Sequence, residues 1–153
     1  MASKKKPSLP ISKKPEKLVV DANPIVSALL GGASRRIFFE ADIQLFAVPE
    51  FILSEVRAHL PKLSEKLEST ETYLEYALSL LPLSSYPPQT YRQTISQARQ
   101  LMRHRDPDDA DVLALTLKLE IPLWTNDRDF EGTGVEQFTT ARLLAMLFGK
   151  SGK

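Results

Sequence analysis

Short apolar runs alternate with stretches of helical spacing along most of this chain. Leu18-Val19-Val20 is apolar at every position, the pattern of a strand buried on both faces, and it stops at Asp21. Asn23-Pro24 then offers a cap residue followed by proline at the first helical position. A helix is expected over residues 25–30, halted by Gly31-Gly32, and a second over residues 34–41. Residues 44–48 read as the next strand, and Pro49 opens a helix that runs towards His59. Its apolar stripe is Phe51, Ile52, Val56 and Leu60.

Leu67, Leu74, Leu78 and Leu81 predict one long helix over residues 63–80. The prolines between 82 and 88 break it, with room for a short strand at Leu83. Residues 90–102 read as a basic helix, and Asp106-Pro107 starts another that reaches Leu119. Residues 121–125 read as a buried strand, 126–134 as a loop, 135–138 as a last strand and 141–148 as a closing helix. Strands alternating with helices predict an α/β fold, a sandwich of helices around a mostly parallel central sheet.

Composition narrows the classes open to this fold. The 153 residues are 42% hydrophobic and 25% charged, enough for one domain with a real core and too apolar for global disorder. With no cysteine there is no disulfide framework, thiolate zinc site or cysteine nucleophile. With only His59 and His104, a metal must rest mainly on oxygen ligands. No apolar run approaches the roughly 20 residues that span a bilayer. The lysines near the start have no apolar segment behind them, unlike a secretory signal. A cytoplasmic protein without membrane contact is expected.

Charge divides the chain in two. Residues 1–17 hold six lysines and one glutamate, whereas acids outnumber bases in the remainder. Residues 1–16 read as a disordered basic tail and residues 17–150 as the folded domain. A net-negative body is not a generic nucleic-acid binder. Its acids need another reason, and a cation site is one.

Four acids interrupt the apolar pattern. Asp21 and Asp127 each follow a predicted strand, at the sheet edge where open α/β folds bind ligands. Turn or cap acids would also stand there, although Asn23 already fills the cap beside Asp21. Asp109 lies above the helical stripe of Val112, Leu113 and Leu117, where an unpaired carboxylate is costly. Asp111 shares a face with Lys118 and is expected in water, and Asp108 is ambiguous. Glu55 lies on the edge of the Phe51 stripe, one turn before His59. Crowded carboxylates repel and raise one another's pKa, and a divalent cation removes that penalty. All-oxygen ligation points to Mg²⁺ or Mn²⁺, and so to phosphoryl chemistry.

These residues resemble the PIN-domain ribonucleases, the group that includes VapC-type toxins. The resemblance rests on LVVDANPIVSALL at 18–30, FAVPEFILSEV at 46–56, DPDDADVLALTLKL at 106–119 and IPLWTNDRDF at 121–130, in that order. It implies a three-layer PIN-like α/β/α sandwich and cleavage of single-stranded RNA with Mg²⁺ or Mn²⁺. It makes Asp21, Glu55, Asp109 and Asp127 the catalytic acids, with Asp21, Asp109 and Asp127 on metal. Asn23 and Thr125 would support them, and Asp129 would be a nearby substitute. It also implies homodimers and a small antitoxin that blocks the site. The lysine tail and the proline-rich break at 82–88 depart from the family's pattern.

Arg103 and Arg105, which lead into the Asp106 helix, and Arg128, beside Asp127, are candidates for holding the RNA backbone. A solvated helix face would look the same. Trp124 is expected in the core rather than stacked on a base, and Tyr73 and Tyr76 in the core or an interface. Two other classes stay open: a catalytically silent PIN-like module that binds nucleic acid or protein, and a DNA-directed nuclease. An aspartyl phosphatase is disfavoured because position 23 is Asn where Asp-x-Asp would be needed.

Overall fold

The computed structural model describes residues 13–149. Most of the expected tail, residues 1–12, therefore lies outside the described residues. Lys13 to Glu16 are described and lead into the sheet, where the Glu16 carbonyl accepts a 2.7 Å hydrogen bond from the Gln44 amide.

Five strands form the sheet: β1 (Lys17–Val20), β2 (Leu45–Pro49), β3 (Ser84–Tyr86), β4 (Leu123–Trp124) and β5 (Gln137–Phe138). Their order is β3-β2-β1-β4-β5 and every pairing is parallel. The helices are α1 (Ala22–Leu29), α2 (Ser34–Glu40), α3 (Glu50–Ala58), α4 (Leu60–Leu67), α5 (Glu71–Leu80), α6 (Arg92–Leu101), α7 (Ala110–Leu119) and α8 (Thr140–Phe148). α1 packs with α2, α3 and α5, and α6 packs with α7. With the right-handed crossovers general to parallel sheets, the two groups cover opposite faces. α8 returns to the first face, against α2. This is the expected three-layer α/β/α sandwich.

The central strands are apolar beyond Lys17 because both faces are covered. Leu18, Val19, Val20, Ala47, Val48, Leu123 and Trp124 are fully buried. Phe38, Phe46 and Trp124 pack as a tilted aromatic cluster with centroids 4.8 to 5.9 Å apart. Trp124 is therefore a core residue, and its Nε1 donates to Thr140 Oγ1 at 3.0 Å.

Several local expectations are corrected. α1 starts at Ala22, and its cap is Asp21, whose side chain accepts from the Ala22 amide. Asn23 is not the cap; it is inside the first turn. The helix expected over 63–80 is two helices. Glu68 closes α4 in the left-handed conformation at φ 54°, and Thr70 caps α5 by accepting from the Tyr73 amide. Leucine spacing alone carried no sign of that break. Pro61 does not end a helix but occupies the first turn of α4. Phe51, Tyr73 and Tyr76 are exposed, so none of the three is a core residue. Asp111 does not face water freely: its Oδ2 accepts from the buried Tyr91 hydroxyl at 2.6 Å.

Candidate metal centre

Two neighbouring strands deliver the first acid and its support. β1 and β4 run parallel with Val20 opposite Trp124, so Asp21 and Thr125 leave the sheet side by side. The Asp21 amide donates to the Trp124 carbonyl at 3.0 Å. With this strand order, the winding of the chain reverses between β1 and β4. A crevice opens at such a reversal beyond the carboxyl ends of the strands.

Asp21 is only 4% exposed, and both its carboxylate oxygens are held. Oδ1 accepts from the Ala22 amide at 2.8 Å. Oδ2 accepts from Thr125 Oγ1 at 2.7 Å and Asn23 Nδ2 at 3.3 Å. Thr125 Oγ1 in turn accepts from Asn23 Nδ2 at 3.3 Å and the Asp127 amide at 3.0 Å. One hydroxyl thus links two acids that lie far apart along the chain: Asp21 through its side chain, Asp127 through its backbone.

Asn126 extends this frame, and sequence reasoning passed over it as part of a loop. Its amide donates to Asn23 Oδ1 at 3.0 Å. Its side chain brackets Thr140, accepting from the Thr140 amide at 2.8 Å and donating to Thr140 Oγ1 at 3.1 Å. The available signal was an asparagine placed directly after a buried strand and between Thr125 and Asp127.

The other acids arrive on short 3₁₀ turns. Asp109 ends the turn Pro107–Asp109, which Asp106 caps by accepting from the Asp108 amide at 3.0 Å. Asp127 caps the turn Arg128–Phe130 by accepting from the Asp129 amide at 2.9 Å. Asp109, Asp127 and Asp129 each offer a carboxylate oxygen within 4.8 Å of the other two. Asp129, expected as a nearby substitute, is thus part of this closest trio. Asp21 acts on Asp109 of this trio through its charge.

Electrostatics bind the group together. Burial and then the charges of Asp21, Asp106, Asp127 and Asp129 push the Asp109 carboxyl up to about 7. Burial also raises Asp21, offset by the hydrogen bonds from Thr125 and Ala22 and reinforced by the Asp127 charge. Half-buried Glu55 on α3 is raised by burial and by Asp108, Asp106 and Asp21, while His59 lowers it. All four expected acids therefore share one field. Among the described residues, ion pairs join Arg36 to Glu40, Arg57 to Glu75 and Arg128 to Glu131, and none reaches this group. A crowded, all-oxygen donor set with no ion pair to it among the described residues fits a hard divalent cation such as Mg²⁺ or Mn²⁺.

The candidate arginines are exposed. Arg103 Nε donates to His104 Nε2 at 3.2 Å, and Arg128 pairs with Glu131 at 3.4 Å. Arg105 Nη1 donates to the Asp129 carbonyl at 2.6 Å. Among the described residues, no helix is long and apolar enough to cross a membrane.

Comparison with known proteins matches this architecture. A chain of the VapBC2 complex from Rickettsia felis, bound to a promoter DNA fragment, superposes with a TM-score of 0.64 at 15% identity. That match covers 80% of this chain and 98% of the other. A chain of a toxin–antitoxin complex from Klebsiella pneumoniae gives 0.60 at 19% identity, covering 80% and 97% respectively. No curated protein matches the chain. The family model for the PIN domain matches residues 19–147, nearly all of the described structure, and the chain belongs to the PIN-domain family.

Proposed function

We propose that this protein is a metal-dependent endoribonuclease that hydrolyses phosphodiester bonds of single-stranded RNA. The observation that carries the reading is the trio Asp109, Asp127 and Asp129, whose carboxylate oxygens lie within 4.8 Å of one another, with buried Asp21 acting on Asp109 and no ion pair to the trio among the described residues. In a PIN-domain chain, that is a hole built for Mg²⁺ or Mn²⁺. When bound, the ion supplies charge neutralisation at the phosphate and a more acidic water.

The protein's own groups have separate tasks. Asp109, Asp127 and Asp129, with Asp21, hold the cation. Thr125, Asn23 and Asn126 keep those carboxylates from swinging apart. Glu55 orients the attacking water and takes its proton as the water oxygen bonds to phosphorus and the bond to the leaving oxygen breaks. Arg103 and Arg128, exposed at the rim, attract the RNA backbone.

The toxin role is part of the proposal. The two solved structures named above come from complexes described as VapBC2 and as toxin–antitoxin. By that likeness an antitoxin protein is the expected partner; a homodimer and a cytoplasmic place of action are what the PIN-domain resemblance implies.

The test is cleavage of end-labelled single-stranded RNA in Mg²⁺ or Mn²⁺, with EDTA and single-stranded DNA as controls. Cleavage of RNA that EDTA stops, and that D21N or D109N abolishes, is expected. Wild-type turnover by either variant overturns the site. Cleavage of DNA alone overturns the substrate.

A further inference from the structure

Arg105 stands at the junction of the two segments that supply the trio. It directly precedes Asp106, the cap of the turn that ends at Asp109. Its own amide donates to the Met102 carbonyl at 2.9 Å, which seats it on the end of α6 beside a buried methionine. From there Nη1 crosses to the Asp129 carbonyl, 24 residues away, at 2.6 Å. A short bond from a guanidinium is among the stronger hydrogen bonds available.

Asp129 needs such a hold. It is the exposed member of the trio. Among the described residues, no hydrogen bond ends on its carboxylate. Its peptide groups are what place it: its amide on Asp127 Oδ1 at 2.9 Å and its carbonyl under Arg105.

We infer that Arg105 is a positioning residue that ties the Asp127–Asp129 turn to the Asp109 turn and thereby assembles the cation site. This rests on the metal reading above and goes beyond the expectation that Arg105 only holds RNA. The two roles separate experimentally. In a phosphate contact, loss of Arg105 weakens RNA binding and leaves cation binding alone. In a latch, it weakens cation binding with no RNA present.

The experiment is calorimetric titration of the metal-stripped full chain with Mn²⁺ alone, wild type against R105A. A second arm measures binding of a fluorescent single-stranded RNA in EDTA across a salt series. The latch predicts Mn²⁺ affinity roughly ten- to hundredfold lower in R105A. It predicts an unchanged salt slope for RNA. Unchanged Mn²⁺ affinity, with a salt slope reduced by about one, makes Arg105 a phosphate contact and overturns the inference. A wild-type chain that takes up no Mn²⁺ overturns the metal reading and this inference with it. Unfolding in EDTA checks the variant. Should R105A not fold, R105K carries the same comparison, since it keeps a cation on a shorter stem with one donor nitrogen.

Discussion

Thr125 donates its hydroxyl proton to Oδ2 of Asp21 at 2.7 Å, joining residues 104 positions apart. The pair exists because β1 and β4 are parallel neighbours whose carboxyl ends coincide. Thr125 Oγ1 also accepts from the Asp127 amide, so a single buried side chain registers two acids. T125V keeps the shape and removes every one of these bonds. It should destabilise the metal-free protein by about 1–3 kcal/mol, the cost of leaving buried polar groups unpaired. T125S should recover most of that. Urea unfolding in EDTA measures both, and a T125V as stable as wild type would mean that the hydroxyl does not organise the site.

Asp109 gives a prediction of opposite sign. Its charge is unwelcome in the metal-free fold, so D109N should raise the melting temperature in EDTA. The same change should erase stabilisation by metal. Wild type should gain roughly 2.7 kcal/mol at a hundredfold excess of Mn²⁺ over its dissociation constant. Thermal melts of both proteins, with EDTA and with Mn²⁺, form the check. A D109N that melts lower in EDTA and still gains from Mn²⁺ would contradict it.

The pH dependence follows from the same group. Burial and four neighbouring acids raise the Asp109 carboxyl from its ordinary 3.8 to about 7. Between those values the native state holds a proton that the unfolded chain has released. Stability of the metal-free protein therefore falls as pH rises through this window. Asp21 and Glu55, also raised, act in the same direction. Saturating Mn²⁺ competes with those protons and should flatten or reverse the slope. Denaturant midpoints at pH 5 to 8 would decide the matter, and a metal-free midpoint that climbs with pH would refute it.

Trp124 is the chain's single tryptophan and is fully buried among Phe38 and Phe46. Its fluorescence should be blue-shifted in the native state and unchanged when RNA binds. W124A should cost about 3–5 kcal/mol, as emptied aromatic core sites do. Quenching by RNA at constant protein stability would instead place the ring in the binding surface.

Much of the layer order was legible because it depends on local pattern. Leu18-Val19-Val20 reads as a doubly covered strand by composition alone, and Asp106-Pro107 announces a helix start through cap chemistry. The α4–α5 break was illegible because its residue is Glu68, a side chain with no left-handed preference, where a glycine would have marked the stop. Phe51 fitted the buried stripe by spacing, yet it stays 36% exposed. Asp111 matched a solvent face until packing of the Pro88–Tyr91 turn brought the Tyr91 hydroxyl to it.

Local patterning by itself determined the alternation of strands and helices, and it singled out an oxygen-rich set of acids as candidates. Spacing along one element is enough for each of those. Only the tertiary structure decided that Asp129 joins Asp109 and Asp127, that Asp21 rather than Asn23 caps α1, and that Asn126 and Arg105 hold the frame. Those relations depend on strand order and on where short turns land in three dimensions. A periodicity in sequence carries neither, because distance along the chain says nothing about which ends of the sheet meet.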